Sequence, residues 1–255
     1  MARRLSWLAV VMCLGACSPD VNLGNDVLWS TDHESGDLSD WSLAGGGGVL
    51  EQAPDATAVI SQDFAHSGQW AARLTNQAMG TMKEAHLWRD GNFPQEAYYS
   101  AWYYLPQSVQ TTVDWTIMQF RERTTSDPAV IALHYDIDLR SLPDGETILW
   151  FFDHDPVYLR EPTPTPAIPV PIGAWFRLEV FYRHALDDTG RLTVWQDGVL
   201  VYDITGRSTG TNSNVYWTPC TVGYDTIPEA AVIYVDDAMI SLRRRAGVTS
   251  MPAAD

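Results

Sequence analysis

The sequence predicts an all-β protein, a two-sheet antiparallel β-sandwich, and three observations carry the prediction. Apolar and polar residues alternate with a period of two through most of the chain between Val27 and Leu242. Turn signals interrupt these runs at short intervals, and no stretch sustains a 3.6-residue apolar stripe over three turns. Alternation of this kind sets one face of each strand on a core and the other toward solvent or a cleft. Many short strands in a single unit of this size fit two packed sheets.

The N-terminus is read first. Met1-Ala2-Arg3-Arg4 precedes an apolar run from Leu5 to Leu14, then Gly15-Ala16-Cys17. A basic start, a short apolar core and small residues at the end make a secretory signal, too short to span a bilayer permanently. Leu14-Gly15-Ala16-Cys17 resembles the lipobox of bacterial lipoproteins, which implies cleavage after residue 16 and acylation of Cys17. The alternative is a plain signal peptide with an incidental Cys. Ser18, where an inner-membrane lipoprotein of a Gram-negative cell carries Asp, implies an exported protein at the outer membrane, held there through the lipid anchor only. Residues 17–26 then form the lipidated Cys and a polar tether. Cys13 leaves with the signal and Cys17 takes lipid, so Cys220 alone remains and no intramolecular disulfide can form. With no His or base motif beside it, Cys220 reads as a buried structural thiol.

The strands follow in order. Ile131, Leu133, Tyr135 and Ile137 alternate with Ala132, His134, Asp136 and Asp138. Phe176, Leu178, Val180 and Tyr182 alternate with Arg177, Glu179, Phe181 and Arg183. Asp197-Gly198, between Leu192–Trp195 and Val199–Asp203, predicts a hairpin with a type I′ turn. Glu161–Pro171 holds five prolines and reads as a stiff extended crossing, since proline cannot serve a central strand or a helix interior. The folded domain is therefore expected over residues 27–242, followed by a flexible tail, 243–255, that opens with Arg243-Arg244-Arg245.

Composition narrows the function. Hydrophobic residues make up 45% and charged residues 19%, which supports a sizeable core and excludes global disorder. A net charge of −16 disfavours a nucleic-acid partner, which would want a basic face, and argues more weakly against a polyanionic substrate. Period-two counting collects a polar and aromatic face: Glu84, His86 and Trp88; Trp115, Gln119 and Arg121; His134, Asp136 and Asp138; Trp150 and His154. On one sheet these would line a groove of imidazole, guanidinium and aromatic groups suited to sugar rings. The histidines with Asp136 could instead hold Zn²⁺. Trp29, Trp41, Trp70, Trp102 and Trp175 are expected in the core. The Glu-x-Asp-x-x-Glu spacing that would present two carboxylates for glycoside hydrolysis is absent from the chain.

Several phrases add up to a resemblance. Glu34-Ser35-Gly36 with Trp41, His66-Ser67-Gly68 with Ala71, Gly190 to Trp195 with Asp197-Gly198, and Tyr234-Val235-Asp236-Asp237 with Ile240 stand in the order seen in concanavalin A-like jelly rolls. Together they cover most of residues 27–242. The chain resembles the jelly-roll polysaccharide lyases of the heparin lyase I, glucuronan lyase and alginate lyase kind. That resemblance implies a lyase that cleaves an extracellular, uronate-containing polysaccharide by β-elimination. Gln119 and Arg121 would hold the uronate carboxylate, His134 or His86 would take the proton, and Tyr216 or Tyr224 would act as acid. Trp88, Trp115, Asp136, Trp150 and His154 would bind substrate. The resemblance further implies a structural Ca²⁺ held by Glu34 and either Asp236 or Asp237, and no organic cofactor. The chain departs from the alginate-lyase pattern in two places, with Arg121 where His stands and Thr218 where Lys stands. Those departures keep open a second reading, a non-catalytic glycan-binding lipoprotein on the same fold.

Overall fold

A computed structural model describes residues 26–245, apart from 78–79, 92, 112, 124–130, 155–158, 161–163, 165 and 211–214, and apart from the side chains of 123, 131–134 and 159–160. The signal segment and Cys17 lie outside the described residues.

The first strands are β1 (Val27–Thr31), β2 (Gly47–Glu51), β3 (Ala56–Ser61), β4 (Ala71–Asn76), β5 (Lys83–Arg89) and β6 (Glu96–Tyr104). A short β7 (Gln110–Thr111) leads to β8 (Trp115–Arg123), β9 (Ile131–Ser141), β10 (Thr147–Asp153) and β11 (Leu159–Arg160). Then come β12 (Trp175–Arg183), β13 (Gly190–Gln196), β14 (Val199–Arg207), β15 (Val215–Gly223), β16 (Thr226–Ile227) and β17 (Ala231–Ser241). One sheet runs β14-β13-β12-β6-β17-β4-β3, with β1 added on β17, and the second runs β11-β10-β9-β8-β15-β5-β2. The pairings are antiparallel, and the chain passes repeatedly from one sheet to the other, as in β4, β5 and β6. The architecture is an antiparallel jelly-roll sandwich.

The predicted alternation builds the core. Leu178, Val180, Tyr103 and Val235 from one sheet meet Leu87, Phe120, Ile137, Phe151 and Trp217 from the other, all of them buried. Each such side chain contributes about 1.5–3 kcal/mol by leaving water. Between β13 and β14, Asp197 and Gly198 have φ of 49° and 81°, the two positive values a type I′ turn requires. Two expectations are corrected. Trp102 and Trp175 sit half-buried on the outer face, where the His66 ring stacks 3.8 Å from that of Trp102. Arg244 lies 4.1 Å over the Trp195 ring and donates to Glu179 Oε2 at 3.0 Å, so the chain stays pinned to the sheet past residue 242.

A buried polar network joins the two ends of the domain. Trp41 Nε1–H donates to His33 Nε2 at 3.1 Å, which leaves the ring proton on Nδ1, 3.3 Å from Asp236 Oδ1. The same oxygen accepts the Asp237 amide at 2.8 Å, while Asp236 Oδ2 accepts the amides of His66 and Ser67 at 2.8 and 3.2 Å. Trp41, His33 and Asp236 are completely buried. The carboxylate thus ties the turn after β1 and the turn before β4 to the last strand.

This arrangement does not fit the Ca²⁺ that the resemblance implies. A carboxylate offers about four lone-pair positions, and Asp236 has four donors. Glu34 Oε1 accepts the amides of Gln69 and Trp70, both at 2.8 Å, and Asp237 faces Ser67 Oγ and the His66 ring. Among the described residues no three His, Cys, Asp or Glu side chains gather as a metal site. Amide N–H groups occupy both Asp236 oxygens and Glu34 Oε1, and a hydroxyl and an imidazole face Asp237.

Two predictions follow from that network. Asp236→Ala strands four donors in a dry site and is expected to cost about 3–5 kcal/mol, against at most about 1 kcal/mol for Asp203→Ala in the exposed Arg191 pair. Guanidinium titration of both variants checks this, and equal midpoints would refute it. EDTA is expected to leave the melting temperature unchanged; a drop reversed by Ca²⁺ would overturn the amide assignment.

Candidate active site

The site is set by a break in the alternation. On β8, Thr116 pairs with Asp138 but Met118 pairs with Ile137, so Ile117 is one residue extra against β9. Such a bulge changes which parity faces out. Ile117 and Met118 both enter the core. Trp115 therefore points inward, fully buried, with its Nε1–H on Thr221 Oγ1 at 2.8 Å, and the expectation that it binds substrate beside Gln119 and Arg121 is corrected. Beyond the bulge Gln119 and Arg121 emerge on the outer face.

Register then lays out rows across that face. Thr218, Gln119, Asp136 and Phe152 are successive neighbours on β15, β8, β9 and β10. Tyr216, Arg121 and His134 form the adjacent row, and Val222, Thr116, Asp138 and Trp150 lie on the other side. A cleft of about 270 Å³ opens above them. Glu84, Gln119, Arg121, Asp136, Asp138, His154 and Tyr224 line it, with Met82, Phe152 and Val222 as apolar wall.

Hydrogen bonds give each group its chemical state. Gln119 Nε2 donates to Asp136 Oδ1 at 2.9 Å, and Asp136 Oδ2 lies 2.7 Å from His154 Nε2. Gln119 is 2% exposed and its Oε1 has no hydrogen-bond partner, so its amide serves Asp136. Gln119 itself lines the cleft. Asp136 thus stands between Gln119 and His154 in the cleft lining. Arg121 is half-buried in the cleft wall and its Nε has no hydrogen-bond partner. His86 is 3% exposed, between Glu84 Oε2 at 3.0 Å and Thr218 Oγ1 at 3.2 Å. Burial pushes its pKa down.

The remaining expectations divide. Tyr216 is buried and meets Trp88 edge-on at 6.0 Å, outside the cleft lining, whereas Tyr224 is 44% exposed at its mouth. Trp88 lies across Gly48 of β2, where a Cβ would approach its indole to 2.5 Å, so it packs on the sheet edge. Trp150 lies 3.6 Å under the Arg140 guanidinium, beside the cleft but not lining it. His134 is the register partner of Arg121, and its side chain lies outside the described part. Burial pushes the Cys220 thiol up, as a structural thiol requires. Phe152 carries no polar signal in the sequence, although it shares the face of Trp150 and His154 and stands 4.3 Å from the His154 ring.

The chain matches the polysaccharide lyase family over residues 33–224. A search of curated proteins finds no match. Among solved structures, the endo-β-1,4-glucuronan lyase of the fungus Trichoderma reesei is similar with a TM-score of 0.59 at 17% identity, over 79% of this chain and 92% of that one. An alginate lyase is similar with a TM-score of 0.58 at 13% identity, over 85% of this chain and 97% of that one. A cellulose-induced protein is similar at 0.57 and 16%, over 86% and 99%. At these identities the structural likeness speaks for the fold. The family match spans most of the sandwich and every strand that lines the cleft, and by it this chain belongs to the polysaccharide lyase family.

Proposed function

We propose that the cleft cleaves a uronate-containing polysaccharide by β-elimination, with Arg121 holding the uronate carboxylate and His154 removing the C5 proton. The observation that supports it is the sharing of one cleft by the half-buried Arg121 guanidinium and a His154 imidazole held by a carboxylate. Elimination needs a cation on the carboxylate so that the neighbouring C–H becomes acidic, and a base within reach of that proton. His154 donates Nε2–H to Asp136, which makes Nδ1 the basic nitrogen and steadies the imidazolium formed during the step. Gln119 fixes Asp136 in turn, so both are positioning residues. His134, opposite Arg121 in the register, is the second imidazole candidate for the same step. Tyr224 at the cleft mouth offers a phenol and an aromatic face to the sugar chain.

The glycan-binding reading draws on the two departures, Arg121 for His and Thr218 for Lys. It needs Arg121 and Tyr224 but no base. Absorbance near 235 nm, where unsaturated uronates absorb, separates the readings on alginate, glucuronan, pectate and heparin. Arg121→Ala and His154→Ala are each expected to lower the rate by roughly 10²–10⁴-fold. Silence on every glycan, with binding that survives His154→Ala, would support the lectin reading instead.

The chain's place at the outer membrane, through acylated Cys17, belongs to the same proposal and puts the cleft in contact with extracellular polysaccharide. A palmitate analogue is expected to label the wild type and not Cys17→Ser. Equal labelling of both would sink the anchor.

A further inference from the structure

The geometry points to Glu84 as the acid that protonates the leaving glycosidic oxygen, with His86 as the positioning residue that keeps a proton on it. This rests on the β-elimination reading. Neither residue has a place in the scheme of Arg121 and His154, yet Glu84 lines the same cleft.

The proton positions follow from hydrogen bonds. Thr218 Oγ1–H donates to the Pro219 carbonyl at 3.1 Å, so its oxygen receives from His86 Nδ1 at 3.2 Å. Nδ1 therefore carries a proton. On the other side His86 Nε2 and Glu84 Oε2 are 3.0 Å apart and one proton lies between them. The pair is neutral overall whether that proton sits on nitrogen or on oxygen. Removing it would leave two lone pairs facing each other in a buried place, so the pair retains it more tightly than a lone carboxyl would. His86 is almost fully enclosed, and burial disfavours an imidazolium, so the proton rests on Glu84, the partner with 19% of its side chain exposed.

The surroundings act in both directions. Burial opposes a charged His86 most strongly, the Glu84 carboxyl beside it favours one, and of the more distant groups Arg121 on β8 opposes and Asp136 on β9 favours one. From β15 come Thr218 and Cys220, whose thiol burial keeps neutral. From β2, Leu50 stands opposite His86 and Gln52 Oε1 accepts the Glu84 amide at 3.2 Å. Thr218 occupies the position where the alginate-lyase pattern has Lys. An ammonium there would face the His86 Nδ1–H, whereas the threonine hydroxyl accepts it.

The step balances. His154 Nδ1 takes the C5 proton, the C5–H electron pair becomes the C4=C5 double bond, and the C4–O bond breaks toward oxygen. That oxygen takes the proton from Glu84. Afterwards His154 loses its proton to water and Glu84 regains one from water.

Two measurements test it. In ¹⁵N spectra of histidine-labelled protein, with the His86 signals assigned by their loss in His86→Asn, Nδ1 is expected to be protonated and Nε2 to act as an acceptor from about pH 5 to 8, the range in which an ordinary imidazole titrates. In rate profiles, wild type is expected to lose kcat at alkaline pH as the shared proton leaves. Glu84→Gln is expected to lower kcat by roughly 10²–10³-fold with KM little changed and to abolish that limb, while His86→Asn moves the limb to lower pH. An imidazolium at His86 across this range, a bare Nδ1, or a Glu84→Gln enzyme with the wild-type profile would each overturn the assignment. If no glycan is cleaved, the elimination reading and with it the acid role fall, while the nitrogen spectra still decide where the proton lies.

Discussion

One extra residue in β8 governs the site. With Ile117 paired regularly and no bulge, a strict alternation from Trp115 would carry Trp115, Gln119 and Arg121 onto one face, and either the indole would stand in solvent or the guanidinium would enter the core. The bulge resolves the conflict by sending Trp115, Ile117, Met118 and Phe120 inward and Gln119 and Arg121 outward. A register shift on the other side, between Pro219 and Val222 of β15, answers the same irregularity. Bulges redirect side chains at the cost of a locally disrupted ladder, and here the disruption lies directly beneath the cleft.

The redirected face handles its own charge. The whole chain is acidic, with 32 Asp and Glu against 16 Lys and Arg, and a polyuronate should be repelled. Within the cleft, however, Asp136 accepts from Gln119 and His154, Glu84 shares a proton with His86, and Asp114 has Arg140 at 3.9 Å. These acids face donors of their own, whereas Arg121 Nε has no hydrogen-bond partner. A local cationic point can outweigh a distant negative excess, because salt screens charges more than about 10 Å apart.

Much of the fold could be read from residues that obey simple periods. Ile137 and Tyr135 go inward and Asp136 and Asp138 outward, and the Asp197-Gly198 turn falls where positive φ is needed. Glu84, His86, Arg121, Asp136 and His154 were likewise gathered by parity alone. What failed did so for identifiable reasons. Trp115 lies across a bulge, and no residue type there announces one. Trp88 and Trp150 keep the right face but are covered by neighbours, Tyr216 for one and Arg140 for the other, which only packing reveals. The carboxylates of Glu34 and Asp236 look like metal ligands in sequence, because amide donors from residues 66 to 70 leave no trace in residue type. That Gln119 donates to Asp136 leaves no trace in sequence either, since a side chain's hydrogen-bond direction depends on what stands opposite it.

The same rows separate the two proton-handling groups. His154 reaches the cleft from the end of β10, anchored to Asp136, while Glu84 reaches it from β5, backed by His86. Acid and base on one elimination must differ in affinity for a proton at the same pH, and environment is what separates them. Asp136 holds the His154 ring through Nε2, which leaves Nδ1 to the cleft. His86 is enclosed and resists becoming a cation, which leaves its proton with Glu84. Cys220 stands opposite His86 in the register, and its buried, neutral thiol adds no charge there. The burial that disfavours a charged His86 comes from its place between β2 and β15, so the depth of β5 in the sheet is part of the chemistry and not only of the fold.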